Sequence, residues 1–326
     1  MNRARQQGLS LIELMVAVGL SSFIIAGIIQ VVLSNQKAFY LTESMVRVQG
    51  SGRFTLNFIA DDVRQSGSYG CIPTLDAASQ NIQSFTANLT DINAIQTTVT
   101  GTFENSNDGA DGGTEAFDQP DQLALLKLSR NSATLGAGIL PPTTLAMSDE
   151  GDFEQDDYVL VSNCEVADLI QLGSGTTNTQ MVSASNQLRY NFYARQDKRS
   201  TINEIEHRVF SVNSDNELTL AINGEPAQVL LGGVENIQYK YGVDSDSDLV
   251  PDYFDDINEI PANRVGDIIA VTISVLTVSS RLIEGDVEAV TSSPQTISFN
   301  EKTLTMTDNR LHKVFETTVM LRNRMN

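Results

Sequence analysis

Histidine is almost missing from this chain. His207 and His312 are the only two in 326 residues, and neither stands in an HExxH or other zinc spacing, which argues against a histidine-held metal centre. Cysteine is as scarce: Cys71 and Cys164 form no CxxC pair and match no zinc spacing, so thiol redox and structural zinc chemistry are disfavoured. No Gly-x-Ser-x-Gly elbow and no phosphate loop occurs. Paired acids are plentiful, but a chain this acidic supplies them by chance, and no enzyme class gains support from them. Positive charge is thin, with Lys+Arg 21 against Asp+Glu 41 and a net charge of −20. Without a basic stripe, nucleic acid is not an expected partner. Proline is absent before Pro73, so nothing in that stretch forces a helix to break. There is no internal repeat, and the length suits one large or two small domains.

What the chain does have is a long apolar run. Leu9 to Leu33 are 25 consecutive residues in which Glu13 carries the only charge. About 20 apolar residues cross a bilayer as a helix. A carboxylate near the centre of such a helix costs roughly 2.5–3.5 kcal/mol, so Glu13 requires a reason. An uncleaved anchor or a secretory signal is one reading, with Arg3 and Arg5 as the basic region. A signal peptide ends its apolar core after about 7–15 residues at a small-residue cleavage site, and this run does not. Arg3 and Arg5 precede the span and only Lys37 follows it closely, which places the N-terminus in the cytoplasm and the bulk of the chain outside.

The basic leader of residues 1–8 ends in Gly8, a hydrophobic Leu9 follows, and Glu13 is the fifth residue after the glycine. This pattern resembles the class III leader of type IV pilins and type II secretion pseudopilins, although Leu9 stands where Phe is commoner. The resemblance implies cleavage by prepilin peptidase between Gly8 and Leu9 and N-methylation of the new Leu9 amine. It also implies that Glu13 neutralises the amine of a neighbouring subunit during assembly. The expected location is then the inner membrane of a Gram-negative bacterium, with one span and a periplasmic domain, and later the pilus at the cell surface. Loss of the leader would leave 19 basic and 41 acidic residues, a charge of −22.

Beyond the span, Phe39, Met45/Val46, Phe54, Phe58/Ile59 and Val63 keep an approximate helical spacing, with Arg47, Arg53 and Arg64 between them. Residues 66–70 (Ser-Gly-Ser-Tyr-Gly) read as a stop. The expected helix spans residues 9–65, of which 9–33 lie in the membrane, and its Ser10–Arg64 stretch reaches about 82 Å. Gly50 and Gly52 are the weak points of this helix, where a bend or local melting would fall. From residue 66 to 326 the texture becomes short β runs between Gly/Asn/Asp/Ser loops. The strands expected are Gln122–Leu128, Tyr158–Ser162, Leu188–Ala194, His207–Val212, Val234–Gly242, Asp267–Val278 and Phe315–Leu321. In the longest, Ile269, Val271, Ile273 and Val275 fall on one side, with Thr272 and Ser274 on the other. Residues 104–121 are Gly- and Asp-rich and read as a mobile loop. The fold class is α+β: a long N-terminal transmembrane helix packed on an antiparallel β-rich domain, the pilin-like arrangement that the leader implies.

Three further stretches are similar to one branch of that superfamily. Residues 61–71 (DDVRQSGSYGC), 158–164 (YVLVSNC) and the closing 310–323 resemble the helix end, second-cysteine strand and terminal strand of PilW-type minor pilins. Membership would make the chain a structural component that joins other minor and major pilins in starting pilus assembly and sits at the tip. J-type pseudopilins of type II secretion share the architecture and are the alternative. In an oxidising compartment a Cys71–Cys164 disulfide is the economical reading, with free thiols the other. Closing a loop of about a hundred residues would stabilise the fold by roughly 4–5 kcal/mol on the chain-entropy account.

One stretch carries possible site chemistry. Asp244, Asp246, Asp248, Asp252 and Asp255 match calcium-loop positions 1, 3, 5, 9 and 12, with the Val250 carbonyl at position 7. The run is similar to the thrombospondin type 3 calcium repeat. It departs at Leu249, where the turn normally takes glycine, and position 12 is Asp rather than Glu. Calcium is the one cofactor anticipated, and an acidic hairpin loop without a cation is the competing reading. A calcium-dependent adhesin at the pilus tip, with an unknown receptor, follows from the first of these. Tyr190, Phe192, Tyr193, Tyr239 and Tyr241 read as strand-core aromatics rather than a sugar platform, and both histidines as strand-surface residues. Arg310, Lys313, Arg322 and Arg324 form either a docking patch or a solvated strand end.

Overall fold

The computed structural model describes residues 10–66, 82–83, 120–136, 144–147, 151–164, 166–177, 180–182, 192, 194–195, 198–257, 259–279, 295–306, 308 and 310–321. The leader with Gly8 and Leu9, Cys71, Tyr190, Tyr193, Arg322, Arg324, nearly all of the 104–121 loop and most of the 188–194 strand lie outside the described residues.

Helix α1 runs unbroken from Leu11 to Gln65, 55 residues, between the extended caps Ser10 and Ser66. At about 1.5 Å per residue it is some 82 Å long. It has two regimes. Residues 10–36 are exposed throughout, and the first buried residue is Val48. Farther along, Leu56, Ile59, Ala60 and Val63 recur at helical spacing and enter the main core. The helix runs through Gly50 and Gly52, so neither interrupts α1. Gly52 is buried because a Cβ there would lie 2.2 Å from the Phe315 ring, so the glycine admits a neighbour.

Among the described residues most of the domain is built by the strands β1 (Leu123–Thr134), β2 (Tyr158–Ser162), β3 (Ala167–Gln171), β4 (Thr201–Val212), β5 (Glu217–Ile222), β6 (Gln228–Gly232), β7 (Val234–Val243), β8 (Tyr253–Asp255), β9 (Ile268–Val278), β10 (Gln295–Phe299), β11 (Lys302–Met306) and β12 (His312–Met320). Shorter paired segments accompany them, including Ile82–Gln83, which runs parallel to β3. In the larger sheet β4 is the spine. One edge of it pairs with β1, and the other is shared end to end by β2 at residues 201–204 and β5 at 208–212. The order then continues from β5 to β6, which is the terminal strand. The smaller sheet has the order β8-β7-β9-β12, all antiparallel.

Both sheets and the buried half of α1 share one core. Leu123, Leu125 and Phe210 come from the first sheet, and Ile237, Tyr239, Tyr241, Val271, Ile273, Val275 and Val319 from the second. Taking apolar surface out of water stabilises by roughly 25 cal/mol per Å2, so a helix burying four such residues is firmly held. The alternation expected in β9 holds from Val271 onward but fails at its start. A register shift opposite Gly242/Val243 pairs Val243 with Ile268, and Ile268 rather than Ile269 joins the main core.

A buried charge cluster fixes how α1 meets the larger sheet. Asp62, 5% exposed, accepts from Lys127 Nζ at 2.6 Å and from Arg208 Nη1 at 2.6 Å. Arg208 also donates to Glu206. Burial draws the guanidinium of Arg208 down, but Asp62 and then Glu206 outweigh it and hold the group above its ordinary value.

Candidate functional site

The first site expected from the sequence is the start of α1. Glu13 lies in its first turn, with its amide bonded to the Ser10 carbonyl at 3.1 Å. An acid there interacts favourably with the positive end of the helix macrodipole. Around it Leu11, Ile12, Leu14, Met15 and Val16 are all exposed large apolar side chains. The uncovered apolar side chains suit contact with lipid or with other helices and not with water, and the carboxylate among them then needs a compensating partner. The helix is long and apolar enough to cross a membrane.

The second is the hairpin loop between β7 and β8. It is closed by Asp244 N to Asp267 O and Asp252 N to Val243 O. Asp244 is buried, and its carboxylate accepts the amides of Ser247 (2.7 Å), Asp248 (3.2 Å) and Leu249 (2.9 Å). Asp252 accepts both the amide and the hydroxyl of Ser245. Ligand oxygens of Asp244, Asp246 and Asp252 lie within 4.8 Å of one another. Asp248 and Asp255 are not in that group: Asp248 turns to the Val250 amide at 2.8 Å, and Asp255 sits in β8 opposite Tyr241. Leu249 has φ +67°, the left-handed conformation that favours glycine, so its backbone takes the consensus shape despite its side chain. The Asp246 carboxyl is lowered by the Asp248 amide but more than restored by the carboxylates of Asp248, Asp252 and Asp244, leaving it raised overall. The hydroxyl and amide of Ser245, and then Arg264, hold Asp252 below its ordinary value. Three convergent carboxylates make an all-oxygen, strongly anionic donor set that fits a hard cation.

The remaining expectations divide. Phe192, Tyr239 and Tyr241 are fully buried. His207 is half-buried on β4, and burial lowers its pKa. His312 is not a strand-surface residue: it is 2% exposed, with Nε2 3.1 Å from Glu235 Oε2 and 3.5 Å from Asp308 Oδ2. The physical reason is its place on β12 against Glu235 and Asp308, where the Gln295 side chain of β10 also bonds its main chain in both directions. Arg310 lies 3.8 Å from Asp308 and Lys313 stands over the Phe315 ring, so these two cations are spent locally. Cys164 has φ +67°, and its expected partner Cys71 lies outside the described residues. The Asp62 cluster escaped the sequence reading, although Asp62 stands three residues after Ile59, on the helical face that enters the core.

An apolar N-terminal helix with an acid in its first turn, continuing into an antiparallel β-rich domain, defines a pilin-type subunit. Two family models match the chain: the prokaryotic N-terminal methylation motif over residues 3–29, and type IV pilus-assembly protein W over residues 207–323. These two matches support a type IV pilus minor pilin of the PilW family, a family of structural pilus components and not of enzymes. No curated protein and no solved structure matches it. The second match runs from β4 to just beyond β12 and so includes the acidic loop.

Proposed function

We propose that the chain is a minor pilin cut by prepilin peptidase between Gly8 and Leu9, methylated at Leu9, and inserted in the inner membrane with its β domain in the periplasm. There it joins other pilins in the complex that starts a pilus and stays at the tip. The observation that carries the reading is the division of α1: an exposed apolar half headed by Glu13, rigidly continuous with a half buried in the domain. In a filament the exposed half packs among the helices of neighbours, and Glu13 compensates the Leu9 amine of one of them. A buried pair of this kind serves register more than stability. A Cys71–Cys164 disulfide ties the segment after α1 to the end of β2, and a free-thiol assay of the unfolded protein before and after reduction tests it.

The test of function is deletion of the gene, with sheared surface pili counted beside secreted exoproteins. Loss of pili with secretion intact supports the minor-pilin role. Loss of secretion with pili intact moves the chain to the type II pseudopilins, and no change in either leaves a tip adhesin as the reading to pursue.

The loop at 244–252 supports a calcium site within this reading, with Asp244, Asp246 and Asp252 as ligands. Calcium at a hundredfold excess over its dissociation constant would stabilise the fold by about 2.7 kcal/mol. The melting temperature of the full chain should rise on going from chelator to millimolar calcium, and the rise should vanish in Asp244→Asn/Asp246→Asn. A flat response in the wild type retires the site.

A further inference from the structure

On the larger sheet, the turn at 154–158 faces the β5–β6 hairpin across a cleft of about 790 Å3, a size usual for binding sites. Leu126, Leu169 and Ile205 lie along it, all buried members of a small separate cluster. One lip carries Glu154, Asp156 and Asp157, and the other carries Glu225. Among the described residues no lysine or arginine lines the cleft. His207 lines it too, and its lowered pKa keeps it uncharged at neutral pH. We propose that this cleft binds an extended basic peptide segment of a partner protein, with apolar side chains on the leucine–isoleucine floor and Lys or Arg heads between the two acidic lips.

Three features select this occupant. The floor requires an apolar body, which a simple polyamine lacks. The lips require positive charge, which an oligosaccharide lacks. The third is β6, which contributes Gln228 and Leu230 to the cleft and is the terminal strand of the sheet. Among the described residues no strand pairs with its outer edge, and such an edge takes an extended chain by main-chain hydrogen bonding. The acidic lip is also poorly satisfied in the free protein. Burial, and then repulsion from Glu154, Asp152 and Asp156, raises the Asp157 carboxyl despite the Glu154 amide that it accepts. A cation placed there relieves that repulsion.

The experiment uses the full chain in detergent micelles and the fluorescent probe peptide Lys-Leu-Lys-Leu-Lys-Leu-Lys, read by anisotropy at physiological salt. The expected result is saturable binding that weakens at least tenfold in Glu154→Gln/Asp156→Asn/Asp157→Asn. Removing the same charge elsewhere, in Asp61→Asn/Asp215→Asn/Glu259→Gln, should change binding less than twofold. Equal loss in both triple variants would reduce the effect to general acidity and overturn the proposal. So would equal binding of a Lys-Ser-Lys-Ser-Lys-Ser-Lys probe, displacement by spermine at matched charge, or preference for a glycan over the peptide. Both variants replace exposed or half-buried carboxylates by isosteric amides, and their melting transitions report that each is folded.

Discussion

Two glycines two residues apart, on opposite faces of α1, have opposite meanings. At Gly52 a Cβ would collide with the ring of Phe315, 2.2–2.7 Å away, while at Gly50 nothing stands within 4 Å. Gly52→Ala therefore forces α1 off β12 and should destabilise by about 1–3 kcal/mol, the usual range for overpacking. Gly50→Ala gains helix propensity and should stabilise by roughly 0.5–1 kcal/mol. Urea unfolding of both variants checks the pair, and two shifts of the same sign would refute the packing argument. Asp157 makes a second residue-level case. Its pKa is raised from 3.8, chiefly by burial, so ionisation is harder in the fold than in the unfolded chain. Stability is then fully present below pH 3.8 and declines as pH rises through the folded value. Asp157→Asn should raise the melting temperature at pH 7 and lose that advantage below pH 3.8. The Glu154 amide keeps its acceptor in the variant, which isolates the charge as the cause.

At the scale of elements, local pattern was legible and partnership was not. The apolar run and the helical spacing from Phe39 to Val63 mark α1, and alternation marks β7 and β9, because periodicity is written in adjacent residues. The start of β4 escaped because 201–206 (TINEIE) mixes apolar and charged residues, and its strand state depends on β1 and β2 flanking it. The one-residue slip to Ile268 depends on pairing with β7, which no reading of β9 alone can supply. Of the five spaced aspartates three converge, because Asp255 is drawn into β8. The Asp62 cluster is the clearest such case, since its partners stand 65 and 146 residues away. Asp62→Ala leaves Lys127 and Arg208 facing each other without their shared acid. That loss should destabilise by about 3–5 kcal/mol, as removal of one partner from a buried ion cluster does. Replacing the acid and both bases together by apolar residues should cost far less. If Asp62→Ala melts like the wild type, the cluster does not hold the helix to the sheet.

For the whole molecule the decisive fact is that α1 belongs to two environments. Its later half is core to the β domain, and its first half meets no part of the described chain. The stability of the domain and the fitness of the exposed half for assembly are therefore separable. Glu13 lies tens of ångströms along the helix from the first buried residue, Val48, at about 1.5 Å per residue. Glu13→Ala should leave the domain's melting temperature unchanged. It should also ease rather than impede membrane insertion, since a carboxylate near the centre of a span costs roughly 2.5–3.5 kcal/mol. On the proposed pairing, what it should remove is incorporation into the filament, because the neighbouring subunit's amine would then be buried without its counter-charge. Membrane-fraction immunoblots beside sheared pili measure the two quantities separately. Normal membrane levels with loss from the pilus fraction are expected. Normal levels in both would show that the acid has no part in assembly, and a loss from the membrane itself would show that it acts earlier, in insertion or processing.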